Sequence, residues 1–326
     1  VFLTNPTQYI VRLYKVDSNN DKLLNTDIQI TKNNGEIYTF KNDENGNPTN
    51  VIEIPCIGDK TQESFVVQEV NSLNGYNNNL KGKQMKFSVK ATNNKVLTTD
   101  MQVVDLENSG KIENGFDSVS DYFSLVTKQS NETSDGIPVI EMVMKNTTDI
   151  NLNIEKHKTN GDLYDGAEIE LYELNNETNE KTLIKNNIIN NVKLANITQN
   201  DIHVLPNKTY TYVIKEKSTT TPHVNILSDD KEIRLNVRLN KDETTGVLTP
   251  EYNYNLYDKD GNVLENDDAK NFITFGVDKN GTTGKYTFNV YIQNPVMFKM
   301  KFLKTDTTGK SIAKKAIITI NGEQNN

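Results

Sequence analysis

A single cysteine, Cys56, excludes any disulfide within the chain. In the strand-like run "IEIPCIG" it reads as a small buried hydrophobe. Tryptophan is absent, and alanine is too scarce to sustain helical periodicity. No run of about 18 apolar residues occurs, so no segment reads as a membrane-spanning helix. The formal net charge is −8 and no basic stripe stands out, which argues against nucleic acid as a partner. The three histidines (His157, His203, His223) lack metal-ligand spacing, and no Gly-x-Ser-x-Gly, phosphate loop or Cys–His pair is present. These absences leave a conventional enzyme, a metal site and a cofactor without support. "DENGN" and "DKDGN" share pieces of a calcium loop but lack its closing glutamate, and they read as hairpin turns.

What is present points to strands. Asn, Thr, Lys, Val and Ile dominate, with 14 Tyr and 11 Phe. "YIVRLYKV", "SFVVQEV", "AEIELYEL", "TYTYVIKE", "IRLNVRL" and "YTFNVYI" alternate with period two or run apolar, separated by Asn- and Gly-rich turns. Many short strands of this kind predict an all-β chain of antiparallel β-sandwiches.

A repeated phrase sets the organisation. "VFLTNPTQYIVRLYKVD" (Val1 to Asp17) returns as "MVMKNTTDINLNIEKHK" (Met142 to Lys158) and "VYIQNPVMFKMKFLKTD" (Val290 to Asp306). Each copy holds an Asn and, ten residues on, a Lys: Asn5 and Lys15, Asn146 and Lys156, Asn294 and Lys304. The steps are 141 (146 − 5) and 148 (294 − 146) residues. Two tandem domains follow, over 8–148 and 149–296. Residues 1–7 read as the last strand of a preceding repeat and 297–326 as the opening strands of a truncated further one.

The second unit begins "KHKTNGDLYDGAEIELYE" and continues to "VLPNKTYTYVIKE"; the first keeps "NSLNGY" after its Glu but lacks the Gly-Ala. These phrases resemble the collagen-adhesin B-type repeats (Cna-B-like, SpaA-like) of Gram-positive surface proteins and pilins, which have an Ig-like sandwich fold. The resemblance implies a spontaneous isopeptide bond between a first-strand Lys and a last-strand Asn, assisted by a middle-strand Glu. Carried onto this sequence, the triads are Lys15–Glu69–Asn146 and Lys156–Glu216–Asn294. Asn5 and Lys304 become unpaired remnants of neighbouring repeats. The 77 (146 − 69) and 78 (294 − 216) residues between Glu and Asn exceed the compact family size, so extra strands are expected there.

The residues agree with that assignment. Period-two alternation puts Lys15 on the face of Tyr9, Val11 and Leu13, and Glu69 on that of Phe65 and Val67. A Lys and a Glu facing a core are costly unless paired. Lys, Glu and Asn at strand ends are ordinarily solvated, and it is their recurrence in register that lifts these above the background. Desolvation would make the neutral amine and neutral acid accessible, with the acid hydrogen-bonding the Asn carbonyl and relaying protons as ammonia leaves. This is single-turnover chemistry on the chain itself, and no cofactor is implied.

The expected role is a structural stalk or pilus-like repeat, on the cell-wall-anchored surface of a Gram-positive bacterium. Its partners are neighbouring repeats of the same chain. The competing reading is an adhesin module that binds a host surface or matrix protein, with the aromatic stretch "YNYNLYDKDGN" (Tyr252 to Asn262) as its best surface.

Overall fold

The computed structural model describes residues 7–58, 62–92, 95–158, 162–163, 167–189, 197–198, 201–219, 231–264, 273–282, 284–294 and 303–310. Ten strands form the first half: β1 (Thr7–Asp17), β2 (Asp27–Lys32), β3 (Ile37–Tyr38), β4 (Val51–Gly58), β5 (Gln62–Asn71), β6 (Lys83–Thr92), β7 (Lys95–Asp105), β8 (Lys111–Asn114), β9 (Phe123–Lys128) and β10 (Val139–Asn146). They make two sheets, ordered β4-β1-β10-β9 and β3-β2-β5-β6-β7-β8. Alternation in β1 and β5 turns one side of each sheet inward. Val11 and Leu13 thereby share a buried core with Phe65, Val67, Phe87 and Met142. Phe65 and Phe87 stack with centroids 5.2 Å apart, and each such ring contributes about 1.5–3 kcal/mol by leaving water.

The second half repeats the plan with β11 (Ile150–Lys158), β12 (Ala167–Leu174), β13 (Lys181–Ile189), β14 (Ile197–Thr198), β15 (Thr209–Thr219), β16 (Glu232–Lys241), β17 (Leu248–Tyr257), β18 (Ile273–Lys279) and β19 (Tyr286–Asn294). Its sheets run β14-β11-β19-β18 and β13-β12-β15-β16-β17. The long stretches between Glu and Asn are occupied by β6–β9 in the first half and β16–β18 in the second.

One pairing in each sandwich departs from the antiparallel expectation. First and last strands lie side by side and parallel, β1 with β10 and β11 with β19. Parallel neighbours need a long crossover, and here the entire opposing sheet supplies it. The turns are built as the sequence suggests. Asp43 Oδ1 accepts from the amides of Asn45 and Asn47, and Asp258 Oδ1 from those of Asp260 and Asn262. These carboxylates are committed to their own backbone.

Only Thr147–Asp149 separates β10 from β11. The two halves meet closely at this point: Leu23 and Tyr76 of the first belong to the hydrophobic core of the second. Gly75, with φ +89°, makes that approach possible, since a Cβ there would already sit 3.3 Å from Leu248 Cδ1.

Candidate functional site

The inward face of β1 ends in a lysine. Thr7, Tyr9, Val11 and Leu13 are buried, and Lys15 follows them with none of its surface exposed. Its backbone is fixed by Asn50, whose carbonyl accepts from Lys15 N and whose Nδ2 donates to Lys15 O, both at 2.8 Å. β5 brings Glu69 from the opposing sheet, and β10 brings Asn146 alongside. All three are buried together.

Their contacts form a closed triangle. Lys15 Nζ lies 2.6 Å from Asn146 Oδ1 and 2.9 Å from Glu69 Oε1. Asn146 Nδ2 donates to the same Glu69 oxygen at 2.7 Å. Burial lowers the Lys15 pKa from 10.5 to about 8, against the pull of Glu69. Burial likewise raises that of Glu69, against Lys15 and Asn146. Glu69 Oε2 is buried without a hydrogen-bond partner, a position that suits a neutral acid better than a carboxylate.

The geometry refines the role expected of Glu69. The sequence reading set it against the amide oxygen; in the structure it faces the amide nitrogen. One carboxyl oxygen thus touches both the nucleophile and the leaving group. Attack of neutral Nζ on Asn146 Cγ would form the C–N bond and break Cγ–Nδ2. Glu69, as the neutral acid, would give its proton to the departing nitrogen and take back the one that Nζ sheds, so that ammonia leaves and an amide remains. Proximity would supply much of the acceleration of such a step, because folding presents the reactants.

In the second sandwich Lys156 Nζ contacts both carboxyl oxygens of Glu216 at 2.9 Å, and both side chains are buried. Burial lowers Lys156 to about 8. Asn294 closes β19 in the corresponding register: Lys158 pairs with Asn294 as Asp17 pairs with Asn146, each two residues beyond the lysine. The Asn294 side chain lies outside the described residues, as does Asn5. Lys304 is exposed and joins neither triad.

Cys56 is buried, and burial pushes its thiol up to about 11. Among the described residues no group of His, Cys, Asp or Glu is placed to hold a metal ion, and no helix is long and apolar enough to cross a membrane. In the aromatic stretch Tyr252 and Tyr254 lie 4.6 and 5.5 Å, centroid to centroid, from Phe275, while Tyr252 stays exposed. Sequence reasoning missed Asn50, a loop residue with no periodic or motif signal of its own.

Residues 10–103 match the family described as SpaA, prealbumin-like fold domain. No curated protein matches the sequence. Several solved pilus proteins align over most of the chain. The C-terminal fragment of the pilus adhesin SpaC from Lactobacillus rhamnosus GG is 15% identical, covering 91% of this chain and 100% of that one with a TM-score of 0.29. A mutant of the major pilin from Streptococcus pyogenes is 12% identical, covering 89% and 100% with a TM-score of 0.22. The SpaE basal pilin of Lactobacillus rhamnosus GG is 10% identical, covering 87% and 99% with a TM-score of 0.23. At such scores none of these bears on the function of this chain.

Proposed function

We propose that the chain is a load-bearing segment of a Gram-positive surface protein or pilus-like fibre, cross-linked within each sandwich by a Lys–Asn isopeptide bond. The observation that carries this reading is the buried Lys15–Glu69–Asn146 triangle, with one carboxyl oxygen on both reacting nitrogens. The same register and the buried Lys156–Glu216 pair support Asn294 as the partner in the second sandwich. The chain is its own single-turnover substrate and acts on no other molecule.

The mechanical consequence follows from topology. Because β1 and β10 are parallel neighbours, tension between the ends of a sandwich shears them along their length. A bond from Lys15 to Asn146 carries that load directly. It leaves the loop between them, 131 residues apart in sequence, outside the loaded path. By the chain-entropy relation used for disulfides, closing such a loop stabilises by about 5 kcal/mol. Neighbouring repeats of the same chain are the partners this role requires, and the cell-wall surface is its place. The adhesin reading keeps a candidate surface in the Tyr252 stretch, where Tyr252 packs on Phe275 on one side and is exposed on the other.

Single-molecule pulling through the chain ends tests the proposal. The unaltered chain is expected to lengthen without opening the first sandwich. Asn146→Ala should release about 450 Å of additional contour as the loop extends. Release of that length by the unaltered chain at a comparable force would overturn the load-bearing role.

A further inference from the structure

The chain is gripped two residues past each reacting side chain of the first sandwich, at the end of β1 and just beyond β10, by atoms of the second sandwich. On β1 that residue is Asp17. Its Oδ2 meets Lys241 Nζ, from the end of β16, at 2.7 Å, and neither side chain is more than 2% exposed. The same ammonium donates to the Lys22 carbonyl at 2.7 Å. Asp17 Oδ1 caps the turn between them, accepting from the amides of Asn19 and Asp21 at 2.8 and 3.1 Å. The turn then closes on the reactive strand, where Leu23 N donates to Lys15 O at 3.1 Å. Just past the end of β10 the gripped residue is Thr148, whose buried hydroxyl donates to the Val204 carbonyl at 2.7 Å. Asn19 Nδ2 adds a third tie, to Pro206 O at 2.8 Å.

These ties act where the chemistry is most sensitive. Asp17 is the register partner of Asn146, so Lys241 holds β1 at the level of the reacting amide. Thr148 holds β10 just beyond it. A buried ion pair contributes little net stability against an apolar pair of equal volume, but it fixes geometry. A displacement of about 1 Å between reacting groups can slow a reaction about 100-fold.

We infer that Lys241, with Thr148, is a positioning residue for the first cross-link: the docked second sandwich sets β1 against β10 so that the Lys15 amine meets the Asn146 amide. The inference rests on the cross-link reading above. It adds an order of events, in which the first bond closes after the second sandwich has folded and docked.

The test follows bond formation in the full chain after cell-free synthesis, by timed intact mass and peptide mapping, for Lys241→Met and Thr148→Val. The Lys15–Asn146 branched peptide should accumulate about 10- to 100-fold more slowly in Lys241→Met, and less markedly so in Thr148→Val. The Lys156–Asn294 peptide should form at the parental rate in both, which separates lost positioning from failed folding. Asp17→Asn combined with Lys241→Met removes the stranded carboxylate, and should remain slow. Parental closure of the first bond in both single variants, equal slowing of both bonds, or recovery in the double variant would each overturn the positioning role. Absence of ammonia loss from the unaltered chain would instead overturn the cross-link reading, and this inference with it.

Discussion

The two sandwiches bury the same Lys–Glu contact from unlike sequence. The second carries the Gly-Ala and Pro-x-Lys-x-Tyr phrases of the family, whereas the first reads "NDKLLNTDIQI" and "DKTQESFVVQE" in their place. The first has an edge strand, β8, in a six-stranded sheet; among the described residues the second ends at β17 in a sheet of five. Yet Lys15 and Lys156 each lie 2.9 Å from their glutamate, on a first strand parallel to the last. The family match also falls on the first sandwich, the one whose phrases depart further. The lesson is physical. Central strands, paired on both sides, have a register that the core enforces. Edge strands and turns are free to lengthen or change residues, and short phrases sample mostly turns.

The comparison predicts separable effects. Lys15→Ala should lower the melting transition of the first sandwich by about 10–20 °C, the equivalent of losing a loop closure worth about 5 kcal/mol. Lys156→Ala should do the same to the second, and calorimetry that resolves two transitions reads both. If either variant moves both transitions equally, the sandwiches unfold as one unit and the comparison fails.

A smaller effect distinguishes the cross-linked state by pH. In Asn146→Ala the Lys15 amine survives, with a folded pKa near 8 against an ordinary 10.5. The unfolded chain then binds more protons between those values, so stability should rise with pH across that window, on the order of 2 kcal/mol. Glu69, raised above 4.5, works in the opposite sense: stability should fall as pH climbs from 4.5 through its folded pKa. The cross-linked parent has an amide in place of the amine, so its denaturation profile should lack the alkaline rise. A parent that shows the same rise as Asn146→Ala still holds a free Lys15.

The smallest effect concerns the aromatic stretch. Tyr252→Ala should cost about 1 kcal/mol through its lost contact with Phe275, visible as a drop of a few degrees in the second transition alone. No drop would mean that the contact with Phe275 contributes nothing to stability.

Much of this was legible beforehand. Period-two alternation gave the strands, and the face shared by Tyr9, Val11, Leu13 and Lys15 is the face that the core buries. The middle copy of the repeated phrase, Met142 to Lys158, holds the end of β10 and all of β11. The parallel pairing of β1 with β10 was not legible, because alternation reports which way a side chain points and not which strand lies beside it. Nor was the Asp17–Lys241 pair, whose members stand 224 residues apart in a turn and at a strand end. Glu69 was placed in the site by its phrase, but its contact with the amide nitrogen depends on how two sheets approach.

The most direct test is the intact mass of the unaltered chain, followed by peptide mapping. The account predicts a mass short by two ammonia molecules, with branched peptides joining Lys15 to Asn146 and Lys156 to Asn294. The full unmodified mass, with all four residues recovered in linear peptides, would contradict it.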